Sequence, residues 1–201
     1  NASMLLNTAN GRLRRLAKEG VWIILGKAAA VLGSLALVRV LTEFLTPAEY
    51  GQLALGLTLV TLFGQVVFGG LSAGIGRHYA IAGEIHDLHG YLAGSRVLLF
   101  YGTCTALIVG SAISVGMMAF GNPQWAAVAL AATLLAVLGG YNSTLNGIQN
   151  AARQRAIVAM HGGLNAWLKI GLAVALLLWL GTSSSVAVIL GFAASALLVT
   201  L

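Results

Sequence analysis

Arg39-Val-Leu-Thr-Glu-Phe-Leu-Thr-Pro-Ala-Glu-Tyr-Gly-Gln52 decides how this chain folds. An apolar run of about 20 residues arrives at it, and another leaves from it. Between them Thr46 can cap a new helix, with Pro47 at its first position, where a missing N–H costs nothing. Glu49 falls in the first turn, beside the positive end of the helix dipole. The stretch therefore predicts a helix, a short polar turn and a second helix folding back beside the first. Both flanking runs are long enough to cross a bilayer, so a two-pass membrane hairpin is the founding unit.

Composition agrees. Hydrophobic residues make up 59% of the 201 and charged residues 8%, whereas soluble domains are roughly half apolar and a quarter charged. With a mean hydropathy of +0.92, a soluble fold of this size has nowhere to hide its apolar surface. The expected class is an all-α integral membrane protein. A net charge of +6 does not point to nucleic acid, because basic residues spread between apolar spans set topology instead. Cys104 lies alone in an apolar run, so no disulfide is expected. Residues 1–20 are polar and basic and the run after them is too long for a cleavable signal peptide. Asn1-Ala2-Ser3 ahead of Met4 reads as a tag remnant. Residues 186–201 are apolar and stop at Leu201 without the polar flank that ends a span, which reads as the first part of a longer protein.

Working outward from the turn gives two units. Residues 1–20 hold Arg12, Arg14, Arg15 and Lys18 among leucines. They read either as a cytoplasmic basic segment on the inner membrane face or as a tail that only fixes orientation. Residues 21–201 form a six-helix transmembrane lobe, with apolar runs at roughly 21–42, 50–74, 91–120, 125–150, 156–180 and 185–201. The tail carries four cations, the 77–96 connection Arg77 and Arg96, and the 151–155 connection Arg153 and Arg155. Near the alternate connections lies only Arg39. This asymmetry puts the N-terminus in the cytoplasm. Glycines at small-xxx-small spacing, as in Ala29–Gly33 and Gly70–Gly74, predict close helix packing. Pro47 and Pro123 both sit at turns, so the spans should be largely unbroken.

Polar residues recur at helical period inside four spans. They are Thr58, Thr61, Gln65 and Ser72 in the second; His89, Arg96, Thr103 and Ser114 in the third; Asn142, Asn146, Gln149, Asn150 and Arg153 in the fourth; Gln154, His161, Asn165 and Lys169 in the fifth. An amide facing hydrocarbon is costly, so these stripes should turn toward other helices or toward water. They fit interhelical hydrogen bonding, worth about 0.6 kcal/mol per contact, or the lining of a water-filled cavity.

The cations discriminate further. Lys169 is about 12 residues, roughly 18 Å, into the fifth helix. A cation at that depth costs about 2.5–3.5 kcal/mol on insertion scales and cannot easily reach an interface. Lys27 is shallow enough to snorkel, and Arg39 can pair with Glu43 at i+4. The five acids, Glu19, Glu43, Glu49, Glu84 and Asp87, all lie outside the deep parts of the spans. A cationic interior without a carboxylate suits an anionic guest such as a phosphate or pyrophosphate. Glu84-Ile-His86-Asp87-Leu-His89 lacks cysteine and the spacing of zinc motifs, so no metal site is expected. Nothing resembles a phosphate loop, a nucleophile elbow or a carboxylate pair. The chain is expected to be a transporter, not an enzyme, and to need no cofactor.

Leu45-Thr-Pro-Ala-Glu-Tyr-Gly51, a Gly-rich second span, Gly76-Arg-His-Tyr-Ala80 and Asn146-Gly-Ile-Gln-Asn-Ala-Ala-Arg-Gln-Arg155 together resemble the polysaccharide-type flippases of the multidrug/oligosaccharidyl-lipid/polysaccharide exporter superfamily. The resemblance covers nearly all of residues 18–201. It implies two six-helix lobes, in some members with extra helices, facing each other across a central cavity, with this chain as the N-terminal lobe. It implies alternating access that carries undecaprenyl-pyrophosphate-linked oligosaccharide from the inner to the outer leaflet of a bacterial inner membrane. Membrane lipids, a second lobe of the same polypeptide and a polysaccharide polymerase are the implied partners. Depth and helix face then suggest Lys27, Arg39, Arg77, Arg96 and Lys169 for the phosphates, with Asn142, Asn146 and Asn165 for sugar. A drug/cation antiporter of the same superfamily is expected to bury an acid in this lobe, which the sequence lacks. A six-span scaffold that binds partner helices through its small-residue faces is the alternative from another class.

Overall fold

A computed structural model describes the backbone of residues 2–181 and 184–200, and the side chains of residues 20, 21, 24–181 and 184–200. The basic side chains Arg12, Arg14, Arg15 and Lys18 lie outside the described residues, but the backbone there is helical. Helix α1 runs without interruption over Ala2–Phe44, with no break at residue 20. It is followed by α2 (Pro47–Phe63), a π-helical segment (Gly64–Gly69), α3 (Gly70–Glu84), α4 (Leu88–Ala119), α5 (Pro123–Ala151), α6 (Arg155–Leu180) and α7 (Ser185–Thr200). Five rods are long and apolar enough to span a membrane: Ile24–Phe44, Pro47–Glu84, Leu88–Ala119, Pro123–Ala151 and Arg155–Leu180. The sixth, α7, has 16 residues, about 24 Å of helix against a hydrocarbon core of about 30 Å. The chain is therefore an all-α, multi-pass membrane bundle.

The turn at 44–47 forms as its residues dictate. Thr46 is extended and its hydroxyl accepts the Glu49 N–H at 3.3 Å, with Pro47 opening α2. The two helices do not then lie side by side, however; α1 barely touches α2 and packs along α6 instead. The cause is a fit between small residues. A Cβ on Gly26 would stand 2.8 Å from Ala159 Cβ, and one on Gly33 would stand 3.0 Å from Ala166 Cβ. Only glycine at both levels lets the backbones approach this closely.

Helix α5 is the hub. It packs against α2, the π segment, α3 and α4 on one side and against α7 on the other. Helix α7 in turn carries α6, and α6 carries α1. The bundle thus has two groups, α2–α4 and α1–α6–α7, joined along α5 and parted by a cleft.

Two apolar clusters pack the bundle, and the larger one joins the two groups. The larger joins Leu41, Leu45, Leu53, Val128, Leu177, Val188 and Ile189 near the 44–47, 119–123 and 180–185 turns, called here the Glu49 end. The smaller centres on Phe68, whose ring fills the space a Cβ on Gly140 would occupy. Phe68 sits in the π segment, which changes the winding of the second span but leaves Pro47–Glu84 one continuous rod, as expected. No proline causes it; the i+5 pattern is bounded by Gly64, Gly69 and Gly70. Of the second polar stripe, Thr61 and Ser72 line the cleft between the two groups, whereas Thr58 and Gln65 do not.

Candidate functional site

The cleft between the two groups encloses a cavity of about 880 Å³. It starts at mid-bundle under the Leu41–Ile189 cluster and reaches Asn150, an exposed residue in the last turn of α5. Asn142, Asn146 and Asn150 line it from α5 at i, i+4 and i+8, one face of a helix. Asn165 and Lys169 face them from α6, again four residues apart. Thr61 and Ser72 complete the polar wall, and Leu37 and Phe192 close the deep end.

The amides are positioned by bonds that spend half of each. Asn142 Nδ2 donates to the Ala196 carbonyl at 2.9 Å, leaving its Oδ1 as an acceptor for a guest. Asn165 Oδ1 accepts from Ser195 Oγ at 2.5 Å, leaving its NH₂ donors. Ser72 and Thr144 hydroxyls pair at 3.0 Å, fixing α3 against α5 beside the cavity. Lys169 stands about 14 residues, or about 21 Å, from the start of α6. Its ammonium lies 5.9 Å from the centroid of the Phe192 ring, a weak cation–π contact. No carboxylate of the described residues lines the cavity. The Arg39–Glu43 ion pair, at 2.8 Å, is exposed on both sides. Lys169 thus brings a positive charge into the bundle with an aromatic face and amides for company.

The structure brings together four of the eight residues suggested for binding: Lys169, Asn142, Asn146 and Asn165. Lys27 lines a separate pocket between α1 and α6, which also touches Asn146. Arg39 is taken up by Glu43 at the surface. Arg77 and Arg96 are exposed and line no described cavity. The third stripe disperses as well. His89 and Arg96 are exposed, Thr103 meets the Tyr141 hydroxyl at 3.3 Å, and Ser114 donates to the Ala126 carbonyl at 2.9 Å. These two contacts are interhelical hydrogen bonds and have no share in the cavity. In the 84–89 connection, His86 Nδ1 bonds the Gly83 carbonyl and Asp87 caps α4 through the Gly90 N–H. Among the described residues no group of three His, Cys, Asp or Glu is placed to hold a metal ion.

Sequence reading missed Ser143, Phe192 and Ser195. The sixth run is so apolar that Ser195 reads as packing, and only its partner Asn165 gives it a role. It also missed a polar knot at the Glu49 end. Glu49 Oε2 accepts the Ser185 N–H at 2.7 Å, its Oε1 accepts from Gln124 Nε2 at 2.9 Å, and Gln52 Oε1 accepts from Gln124 Nε2 and Ser185 Oγ. One carboxylate thereby serves the first turns of α2, α5 and α7, where helix dipoles favour negative charge. No protein-family model, curated protein or solved structure matches the chain.

Proposed function

We propose that this chain is the first lobe of a bacterial inner-membrane flippase for undecaprenyl-pyrophosphate-linked oligosaccharides, working by alternating access with its N-terminus in the cytoplasm. The observation that carries the reading is Lys169, a deep cation in an amide-lined cavity that no acid among the described residues enters. A cation so placed gains most from an anionic guest, and a pyrophosphate offers several acceptor oxygens in a site of low dielectric. Asn142, Asn146 and Asn165 supply the mixed donors and acceptors that sugar hydroxyls need. The cavity is open along the cleft, where a second lobe of the same polypeptide would close it. An antiporter of the same superfamily has less support, since Glu43, Glu49, Glu84 and Asp87 all lie away from the cavity.

The test is Lys169→Gln in a cell that depends on this protein for surface polysaccharide. At equal membrane abundance, polysaccharide on the cell surface should fall at least tenfold and lipid-linked repeat units should accumulate inside. Undiminished output would remove Lys169 from the site. An immunoblot of the native membrane complements this test, because the reading requires a product long enough to hold a second lobe.

A further inference from the structure

A second basic pocket, of about 380 Å³, lies between α1 and α6 toward the Arg153 end of the bundle. Gly26, Lys27 and Ala30 line it from α1, Arg155, Val158, Ala159 and Gly162 from α6, and Asn146 and Asn150 from α5. Its size falls within the roughly 300–1,000 Å³ of small-ligand sites. Two cations and two amides face this space and, among the described residues, no carboxylate does. Lys27 makes no ion pair among the described residues. Arg155 is engaged in an interaction of its own, but a guanidinium has five donors and can hold one partner while presenting others. Helix α6 starts here with no side-chain cap and no acid in its first turn, so its dipole adds to the positive field. At the opposite end of the bundle Glu49 cancels that field at α7.

We propose that this pocket is a second anion site, specific for a phosphate group, which holds its ligand between Lys27 and Arg155. It is distinct from the Lys169 site and does not depend on it. The two are nevertheless continuous. Asn146 and Asn150 line both, and a small gap of about 250 Å³ beside Ser34 and Asn165 links Ala30 and Gly162 of this pocket to Lys169. From Arg155 to Lys169 is about 21 Å along α6. A phosphate held between Lys27 and Arg155 has an amide ladder, Asn150, Asn146, Asn142, leading to Lys169. A point-charge lysine with a forked arginine and amide N–H donors fits the tetrahedral oxygens of phosphate better than a flat carboxylate.

The experiment is calorimetric titration of inorganic pyrophosphate into the purified protein in nanodiscs of neutral phosphatidylcholine. The expected result is two sites. Lys27→Gln with Arg155→Gln should remove one and leave the other within about threefold of its affinity, while Lys169→Gln should remove the other. Val158→Asp is the independent variant. It puts a carboxylate into this pocket alone, in the first turn of α6, where the dipole tolerates it, and should weaken the Lys27 site at least tenfold. Lys27→Arg should retain binding. A single site abolished by Lys169→Gln, or two sites indifferent to the Lys27, Arg155 and Val158 changes, would overturn the proposal. A single site abolished by the Lys27 and Arg155 changes would support it and sink the Lys169 reading. Repetition in phosphatidylglycerol nanodiscs names the source of the phosphate. Loss of pyrophosphate binding at the Lys27 site assigns it to lipid headgroups, and unchanged binding assigns it to ligands arriving from water.

Discussion

At the Glu49 end the helices share one carboxylate and a dry apolar cluster, whereas at the Arg153 end the same helices part around amides and cations. The difference begins in composition. Near the Glu49 end α1, α2, α5, α6 and α7 contribute Leu41, Leu53, Val128, Leu177 and Ile189, which interlock. Toward the other end α5 and α6 offer Asn142, Asn146, Asn150, Asn165 and Lys169, which leave space. One half of each helix is therefore a fastener and the other half a wall. The cavity is thus closed over at the Glu49 end and open toward Asn150, as the proposed alternating-access reading requires.

The comparison breaks most readily on core stability. Ile189 is fully buried in the fastened half, so Ile189→Ala should cost about 2–5 kcal/mol. Asn146→Ala, in the wall, should change stability by no more than about 0.5 kcal/mol. Unfolding in mixed micelles, followed by circular dichroism, measures both. Equal losses would mean that the two halves are packed alike. Glu49→Ala comes next. It removes the acceptor of the Ser185 and Gln124 N–H groups, and bonds to a charged group are worth about 1.5–3 kcal/mol. Glu49→Gln keeps an acceptor and should cost clearly less. If the two variants melt together, the charge and not the acceptor holds the three helix termini.

The fastened end was largely legible and the open end only in part. Thr46, Pro47 and Glu49 announce a helix start because capping is local chemistry, decided within four residues. The Asn ladder on α5 was legible for the same reason, since i, i+4 and i+8 lie on one face whatever surrounds them. The partner of α1 was not. Its glycines mark a close contact without naming the helix that makes it, and α6 lies more than a hundred residues away in sequence. The second stripe held for Thr61 and Ser72 and failed for Thr58 and Gln65, which do not line the cavity. The third failed because period places a residue on a face but does not say which neighbour covers that face. The role of Glu49 at α7 was hidden likewise, as Ser185 lies 136 residues beyond it.

The smallest expected effects lie in the turns. At the Glu49 end the left-handed positions are glycines, Gly121 with φ of 75° and Gly181 with φ of 62°. At the other end they are His86 and Arg153, each with φ of 59°. A side chain in that region costs about 1–2 kcal/mol relative to glycine, partly offset because glycine loses more backbone entropy on folding, by roughly 0.5–1 kcal/mol. Gly121→Ala and Gly181→Ala should therefore lower the unfolding midpoint, while Arg153→Gly should raise it slightly, by the equivalent of about 0.5 kcal/mol. Arg153 would then be kept against the preference of its own backbone. A charge held at that cost beside Arg155 and the basic pocket serves the field at this end, either to orient the chain in the membrane or to draw anions toward Lys27. Arg153→Lys separates the charge from the guanidinium. It should leave both the midpoint and pyrophosphate binding as they are, whereas Arg153→Gly should weaken the salt-sensitive part of that binding. If Arg153→Gly destabilises the protein instead, the turn depends on contacts of the arginine itself, and the contrast between the two ends does not extend to their turns.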